Sequence, residues 1–599
     1  MNAKDSQYSP GPDIRTDLPV DLPAQPAEVW GSDAVAGCLR ALDIPYLALN
    51  PGASYRGLHD SIVNYLGNAR PQMLLTLHEE SAVAIAHGYA KAAERMMGAV
   101  VHSNVGLMHA SMAIFNAWCD RVPVLVLGAT GPWDAAKRRP WIDWIHTASD
   151  QGALVRDYTK WDNQPGSVPA AYEALLRGVR IAGTAPRGPV YVNLDAALQE
   201  AKIGAAPALP DVARFAAPPP VEPAPALIAA AARLLSGSAQ PLILAGRVGR
   251  SAEGWAQRVA LAEKLQARVL TDLKQAAAFP TDHPLHAAPP GTFLNPQATA
   301  ALRAADVIVS LDWNDLGGTL KQAFGDAPVP ARVVQISPDQ HSHRGWSADY
   351  QGLPPADIYM LCEADAAVPL LLEAVTARPH LTGLAAAAVP QPSADVLSIH
   401  ALAHAFNRVT DGLEVCLTRV PLGWHGQYRH FRHPLDYLGA DGGGGVGSGP
   451  GMTIGSALAL KGSARIAAAI MGDGDFLMGV TALWTAAHYG IPALIVVANN
   501  RSFFNDEMHQ ERVAVARGRP VQNKWIGQRI AEPDIDLAAM ARAQGAEGIG
   551  PVERRADLES ALARAVEAVR AGRTCVVDVR VLPGYDSNMS GQASAAHKR

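Results

Sequence analysis

Three doubly wound α/β domains built on parallel sheets are predicted for this 599-residue chain, and three observations predict them. Short apolar runs ending in glycine-containing turns recur along it, as buried parallel strands do. Stretches with apolar side chains at helical spacing alternate with those runs. Two Pro/Ala-rich stretches, residues 206–225 and 379–395, divide the alternation into thirds, and the length fits three domains of ordinary size.

Residues 1–28 carry Pro10, Pro12, Pro19, Pro23 and Pro26 among polar groups and no long apolar run, which reads as an extended arm and not a signal peptide. The first domain, 29–205, alternates helix and strand and closes on a strand at 188–194. The second, 226–376, repeats the pattern through strands at 241–246, 268–272 and 306–310. Gly246-Arg247-Val248-Gly249 after the first of these is only a fragment of a dinucleotide turn, lacking the full glycine fingerprint and its acidic partner, so FAD is not expected. The third domain, 396–585, closes on a strand at 575–581, and 586–599 form a tail.

Within the third domain, the apolar run 464–471 leads into Gly472-Asp473-Gly474-Asp475, a crossover helix follows over 477–489, and Gly490-Ile491-Pro492 stops it. A second apolar run, 493–498, then ends at Asn499-Asn500-Arg501-Ser502. Both polar clusters therefore fall at carboxyl ends of parallel strands, where open α/β sheets bind ligands. A hard cation takes oxygen ligands and shares them with phosphate. The Asp473 carboxylate, the Asn500 amide oxygen and the Ser502 carbonyl are candidate metal ligands, with Gly472, Gly474 and Asp475 beside the phosphates. Gly-Asp-Gly by itself is also what a capped turn looks like; Asn-Asn at the next strand end separates the two readings.

These residues resemble the thiamine diphosphate enzymes of the acetolactate synthase, pyruvate oxidase and benzoylformate decarboxylase superfamily. The signature is Gly-Asp-Gly, a spacer and Asn-Asn, and Asn500 stands 27 residues after Asp473. The phrase at 482–492 is similar to the benzoylformate decarboxylase branch. The resemblance implies thiamine diphosphate and Mg²⁺ as cofactors, with the first domain binding the pyrimidine, the third the diphosphate, and the middle one often only structural.

A glutamate must then stand in the first domain, and in the segment 74–90 Glu79 lies nine residues before the Gly88-Tyr89 pair. The resemblance gives Glu79 the role of hydrogen-bonding the cofactor's pyrimidine nitrogen; Glu80 fits a carboxylate at the positive end of a helix. Met452, after the glycine-rich stretch 441–451, takes the place of the apolar residue beneath the two cofactor rings. That stretch is equally compatible with an ordinary flexible loop. His102, 23 residues after Glu79, falls on the catalytic histidine of benzoylformate decarboxylase, and its imidazole suits acid–base work near neutral pH. His109 is the weaker candidate, on a helix.

Substrate residues match less well. In Asn50-Pro51-Gly52-Ala53-Ser54, Ala53 takes the place of a substrate-facing serine unless Ser54 substitutes. The second active-site histidine has no counterpart at 310–315, and the acetolactate synthase glutamine is replaced within 126–130. His425 and Gln427 precede the glycine stretch where the family places residues over diphosphate and substrate. An insert carrying Trp133, Trp141, Trp144 and His146, with Lys137-Arg138-Arg139, lines a substrate pocket or makes a subunit contact.

The expected activity is cleavage or formation of a carbon–carbon bond next to a carbonyl, by non-oxidative 2-oxo acid decarboxylation or carboligation. A 2-hydroxyacyl-CoA or acyloin lyase is the alternative, and a non-catalytic regulatory subunit the distant one. The substrate is a small 2-oxo acid, 2-hydroxy ketone or acyl compound, and the resemblance implies a homodimer or homotetramer with sites between subunits. Net charge is −5 with mixed signs, which gives no footprint for nucleic acid. No run is long enough to span a membrane. Five scattered cysteines fit a reducing cytoplasm.

Overall fold

Continuous apolar runs become strands covered on both faces, the condition under which parallel sheets are stable. The computed structural model describes residues 14, 16–19, 29–339, 352–383, 385, 387–392 and 396–583. Strands β1 (Tyr46–Leu49), β2 (Gln72–Leu75), β3 (Met97–Val101), β4 (Val124–Thr130), β5 (Asp162–Asn163) and β6 (Val190–Asp195) form the first sheet, in the order β2-β1-β3-β4-β6-β5. Strands β7 (Pro241–Ala245), β8 (Arg268–Leu270), β9 (Val307–Leu311), β10 (Arg332–Ile336) and β11 (Ile358–Met360) form the second, in the order β11-β10-β9-β7-β8. Strands β12 (Val415–Arg419), β13 (Ile466–Gly472), β14 (Leu494–Asn499), β15 (Glu547–Val552) and β16 (Cys575–Arg580) form the third, in the order β12-β13-β14-β16-β15. The pairings within all three sheets are parallel, and helices cover them.

First and third domains dock through two helices, Glu79–Ala93 and Gly449–Leu460. Small residues let their backbones meet. A Cβ on Gly455 would overlap the Ile85 carbonyl oxygen, and one on Gly88 would overlap that of Met452. The Ser456 hydroxyl donates to the Gly88 carbonyl at 3.0 Å. Part of the N-terminal arm crosses the same junction. Ile14 is buried with its carbonyl accepting from Gln72 Nε2, while the Asp17 carboxylate accepts from Tyr489 Oη and pairs with His488. Residues 1–13, 15 and 20–28 of the arm, and the tail 586–599, lie outside the described residues.

The crossover between β13 and β14 differs from the single helix expected over 477–489. It is two short helices, Asp473–Gly479 and Ala482–Tyr489. The first begins at once on Asp473. It ends at Gly479, where a Cβ would overlap the Gly447 carbonyl, so the glycine-rich loop packs against the break. That loop is not loose. Its Gly442 and Gly443 lie on Asn116 and Asp120 of the first domain, and Gly442, at φ +59, adopts a backbone that favours glycine.

Among the described residues no helix is long and apolar enough to cross a membrane. All five cysteines are free, four of them buried.

Candidate active site

In the third domain, β13 and β14 are neighbours in register, Gly472 opposite Ala498, so the two turns that follow them meet. The Ser502 N–H is shared between Asp473 Oδ2 at 3.1 Å and Asn500 Oδ1 at 3.0 Å, which converges two side-chain oxygens on one point. Asp473 Oδ1 accepts from the Gly474 N–H at 3.0 Å. Its carboxylate is 3% exposed and faces no cationic side chain within ion-pair distance among the described residues. Burial accordingly pushes Asp473 up to about 6, against the backbone N–H groups that hold it down. Asn499, by contrast, is committed to the sheet, donating to Asp578 at 2.8 Å.

Asp475 acts at one remove. Its Oδ1 accepts from the Gly447 and Gly449 N–H groups at 2.7 and 3.2 Å, and Oδ2 pairs with Arg419 Nε at 2.5 Å. A residue read from the sequence as a cofactor contact thus ties down the glycine loop. Gly474 leaves room for the Phe503 ring, whereas a Cβ on Gly472 would meet open space, so that backbone is the approachable one. Met452 is 4% exposed in the helix that opens after the loop.

In the first domain the candidate residues gather at the carboxyl ends of four adjacent strands, β2, β1, β3 and β4. Glu79 opens its helix behind the N-cap His78 and is 6% exposed. Glu79 Oε2 lies 3.0 Å from His109 Nδ1, and His109 stacks on His78 with centroids 5.1 Å apart. The histidine ranked second by sequence is therefore the recorded side-chain partner of the glutamate. Glu80 stands closer to the third domain, and its carboxyl is raised by burial and then by Asp475.

His102 caps the helix Ser103–Cys119 after β3, and the following Ser103 is held at φ +47, a left-handed backbone for a non-glycine residue. Its ring rests on Gly52, where any Cβ would collide with the imidazole. His102 Nδ1 lies 2.8 Å from Ser54 Oγ. Of the adjoining pair, Ser54 and not Ala53 thus reaches the histidine; Ala53 points into an open cleft of about 600 Å³ shared with Pro51, Gly52, Arg56 and His59. Burial, then His146, lowers the His102 pKa, and Glu79 opposes them.

Residues 29–154 match the thiamine pyrophosphate enzyme N-terminal TPP binding domain, 228–349 the central domain and 421–579 the C-terminal TPP binding domain. The chain belongs to the thiamine pyrophosphate enzymes. It is 27% identical over 525 residues to a benzoylformate decarboxylase of Pseudomonas aeruginosa, covering 83% of this chain and 90% of that one. A probable acetolactate synthase large subunit of Methanocaldococcus jannaschii is 25% identical over 574 residues, covering 89% and 90%. The crystal structure of benzoylformate decarboxylase from Polynucleobacter necessarius superposes with a TM-score of 0.77 at 19% identity over 93% of this chain and 99% of the other. A 4-hydroxybenzoylformate decarboxylase of Rhodococcus jostii gives 0.75 at 20% identity, over 93% and 100%. These two structural likenesses speak for the fold.

The residues of this thiamine pyrophosphate enzyme fit the cofactor its family implies. A buried, uncompensated carboxylate beside an amide oxygen is a donor set for a hard divalent cation, and the open backbone at Gly472 gives a diphosphate room. Not every candidate joins the two clusters. His425 Nδ1 accepts from the Gln427 N–H at 3.2 Å in a turn packed on Pro290 of the central domain. In the central domain, the Gly246 and Gly249 N–H groups are taken by the Leu311 carbonyl and Asp365, so the fragment of a dinucleotide turn does not offer them to phosphate. Sequence reasoning named His146 only as part of the insert, yet its ring stands edge-on to His102 with centroids 4.7 Å apart. The available signal was position: His146 closes the segment that leaves β4, the strand next to β3.

Proposed function

We propose that this thiamine pyrophosphate enzyme catalyses non-oxidative decarboxylation of a 2-oxo acid, carboligation of the acyl unit so formed, or both. The observation that carries the reading is the Ser54–His102 pair beside Glu79, an acid–base group and a carboxylate at adjoining strand ends. Relatives named benzoylformate decarboxylase and acetolactate synthase support it.

Bound thiamine diphosphate supplies a nucleophilic carbon for attack on a substrate carbonyl. Asp473, Asn500 and the Ser502 carbonyl would hold Mg²⁺, which would bind the diphosphate, and the open backbone at Gly472 would leave it room. Met452 supports the cofactor rings from the helix after the glycine loop. Glu79, one oxygen engaged by His109, is the carboxyl group that would hydrogen-bond the pyrimidine and hold or give up a proton there. His102, its Nδ1 engaged by Ser54, moves a proton at Nε2 to or from the substrate-derived carbon or oxygen. The cleft lined by Ala53 admits a small carbonyl compound. By family analogy the working unit is a homodimer or homotetramer in the cytoplasm, with sites between subunits.

The test is the purified chain with thiamine diphosphate and Mg²⁺ added, offered pyruvate, benzoylformate, acyloins and 2-hydroxyacyl-CoA thioesters. CO₂ release from a 2-oxo acid, dependent on both additions, is the expected result. Turnover confined to the thioesters or acyloins, with aldehyde and no CO₂, would replace this reading with a lyase.

A further inference from the structure

The excursion between β4 and residue 146 is not explained by the reaction as described so far. Trp133, Trp141 and Trp144 are 56%, 69% and 75% exposed, and Trp141 sits at φ +63, a conformation that a bulky side chain rarely adopts. The base of the excursion is tied. The Gly131 N–H donates to the His146 carbonyl at 3.3 Å, closing the segment, and Asn104 Nδ2 donates to the Ile145 carbonyl at 3.1 Å, fixing its end to the helix that His102 caps. The segment runs out from β4 and returns at one residue, and that residue's ring meets His102 at 4.7 Å and 81°.

We propose that His146 is a positioning residue of the reaction site, its ring held edge-on against His102 so that the charged form of the His102 imidazole is disfavoured, and that the segment 131–146 is the element that delivers it. The inference rests on the reading of His102 as the acid–base group. A second imidazole in ring contact disfavours the charged form of the first. With Nδ1 occupied by Ser54, His102 has one nitrogen left for chemistry, and a neighbour that resists its protonation keeps that nitrogen available as a base.

The other titratable and charged groups around the pair come from three elements. Glu79, bonded to His109, faces His102 from the helix after β2 and favours its charged form. Tyr55, Arg56, His59 and Asp60 come from the segment after β1, the last three lining the cleft with Gly52. On the excursion itself, Asp143 and Arg139 are paired with each other at 2.8 Å.

The experiment is a histidine ring titration in the cofactor-free chain, followed by ¹H–¹³C correlation with ¹³C-labelled histidine, the His102 signal being assigned by its loss in His102→Ala. In the wild type, the His102 signal should titrate below the ordinary imidazole range. In His146→Ala its midpoint should shift upward by about half a pH unit to one unit. His146→Phe keeps a ring against His102 without a proton and should give the same upward shift. An unchanged or lowered titration in His146→Ala overturns the proposal, and so does a wild-type titration in His146→Phe, which would mean that the ring acts by packing. Because the measurement needs neither cofactor nor substrate, it is decided separately from the decarboxylase reading. In active enzyme, the acid limb of kcat/KM should move to higher pH in both His146 variants.

Discussion

The first and third sheets share one strand order, β1-β3-β4-β6-β5 against β12-β13-β14-β16-β15, with β2 added at the edge of the first. His102 after β3 and Asp473 after β13 thus occupy the same place in the two sheets, and so do the excursion after β4 and the Asn500 turn after β14. One frame has been given opposite chemistry. The third domain buries a carboxylate with no cationic side chain against it among the described residues, a donor set suited to a hard cation. The first clusters imidazoles around a carboxylate that already has a partner, a site equipped to move protons. A sheet of this order evidently fixes where a side chain emerges, and the turn residues alone decide what it does there.

Substitutions at the two equivalent ends should separate these roles. Asp473→Ala should abolish cofactor retention and lower activity by about 10³-fold or more, since metal-assisted charge stabilisation is worth several kcal/mol. Thiamine diphosphate released on denaturation reports the loss, and the cofactor-free chain should unfold no earlier than wild type because a buried uncompensated charge has been removed. Glu79→Gln should keep the cofactor yet slow turnover by about 10²–10⁴-fold; normal turnover would remove Glu79 from proton transfer. His102→Ala should cost about 10²-fold in kcat with cofactor binding intact, a split measured by steady-state kinetics beside cofactor titration.

Smaller effects test how the halves are joined. Gly455→Ala forces a methyl into the Ile85 carbonyl and should lower stability by about 1–3 kcal/mol in denaturant unfolding, leaving the site residues themselves untouched. The smallest effect is a pH dependence. Burial, then His146, holds His102 below its ordinary 6.5, so the folded chain binds that proton less readily than the unfolded one. Its contribution to stability is complete above pH 6.5 and falls as the pH drops through the lower folded value. His102→Ala should flatten that stretch of the stability curve, read as a smaller change in denaturant midpoint across it.

The sequence disclosed what is local and repeated. Apolar runs ending in glycine turns marked β13 and β14, and the family resemblance, carried by Asp473 and Asn500, implied Glu79 and His102 for the other cluster. Contacts set by tertiary placement were not legible. Nothing in Ala53-Ser54 says which residue turns toward His102, because a short helical turn decides it. His109 meets Glu79 across elements whose approach depends on Gly106, and His146 meets His102 from a separate element. Asp475 looked like a ligand because it sits in the motif, but both its oxygens are drawn to the glycine loop and Arg419. The helix break after Gly479 was likewise invisible, since it follows from packing against residues more than thirty positions away.

Gly52 carries one further consequence. A ring packed closely on bare backbone and latched at one nitrogen by a serine hydroxyl has already surrendered its rotational freedom before any ligand arrives. That entropy is settled during folding, so the arriving substrate meets an imidazole already aimed and spends none of its binding energy on aiming it.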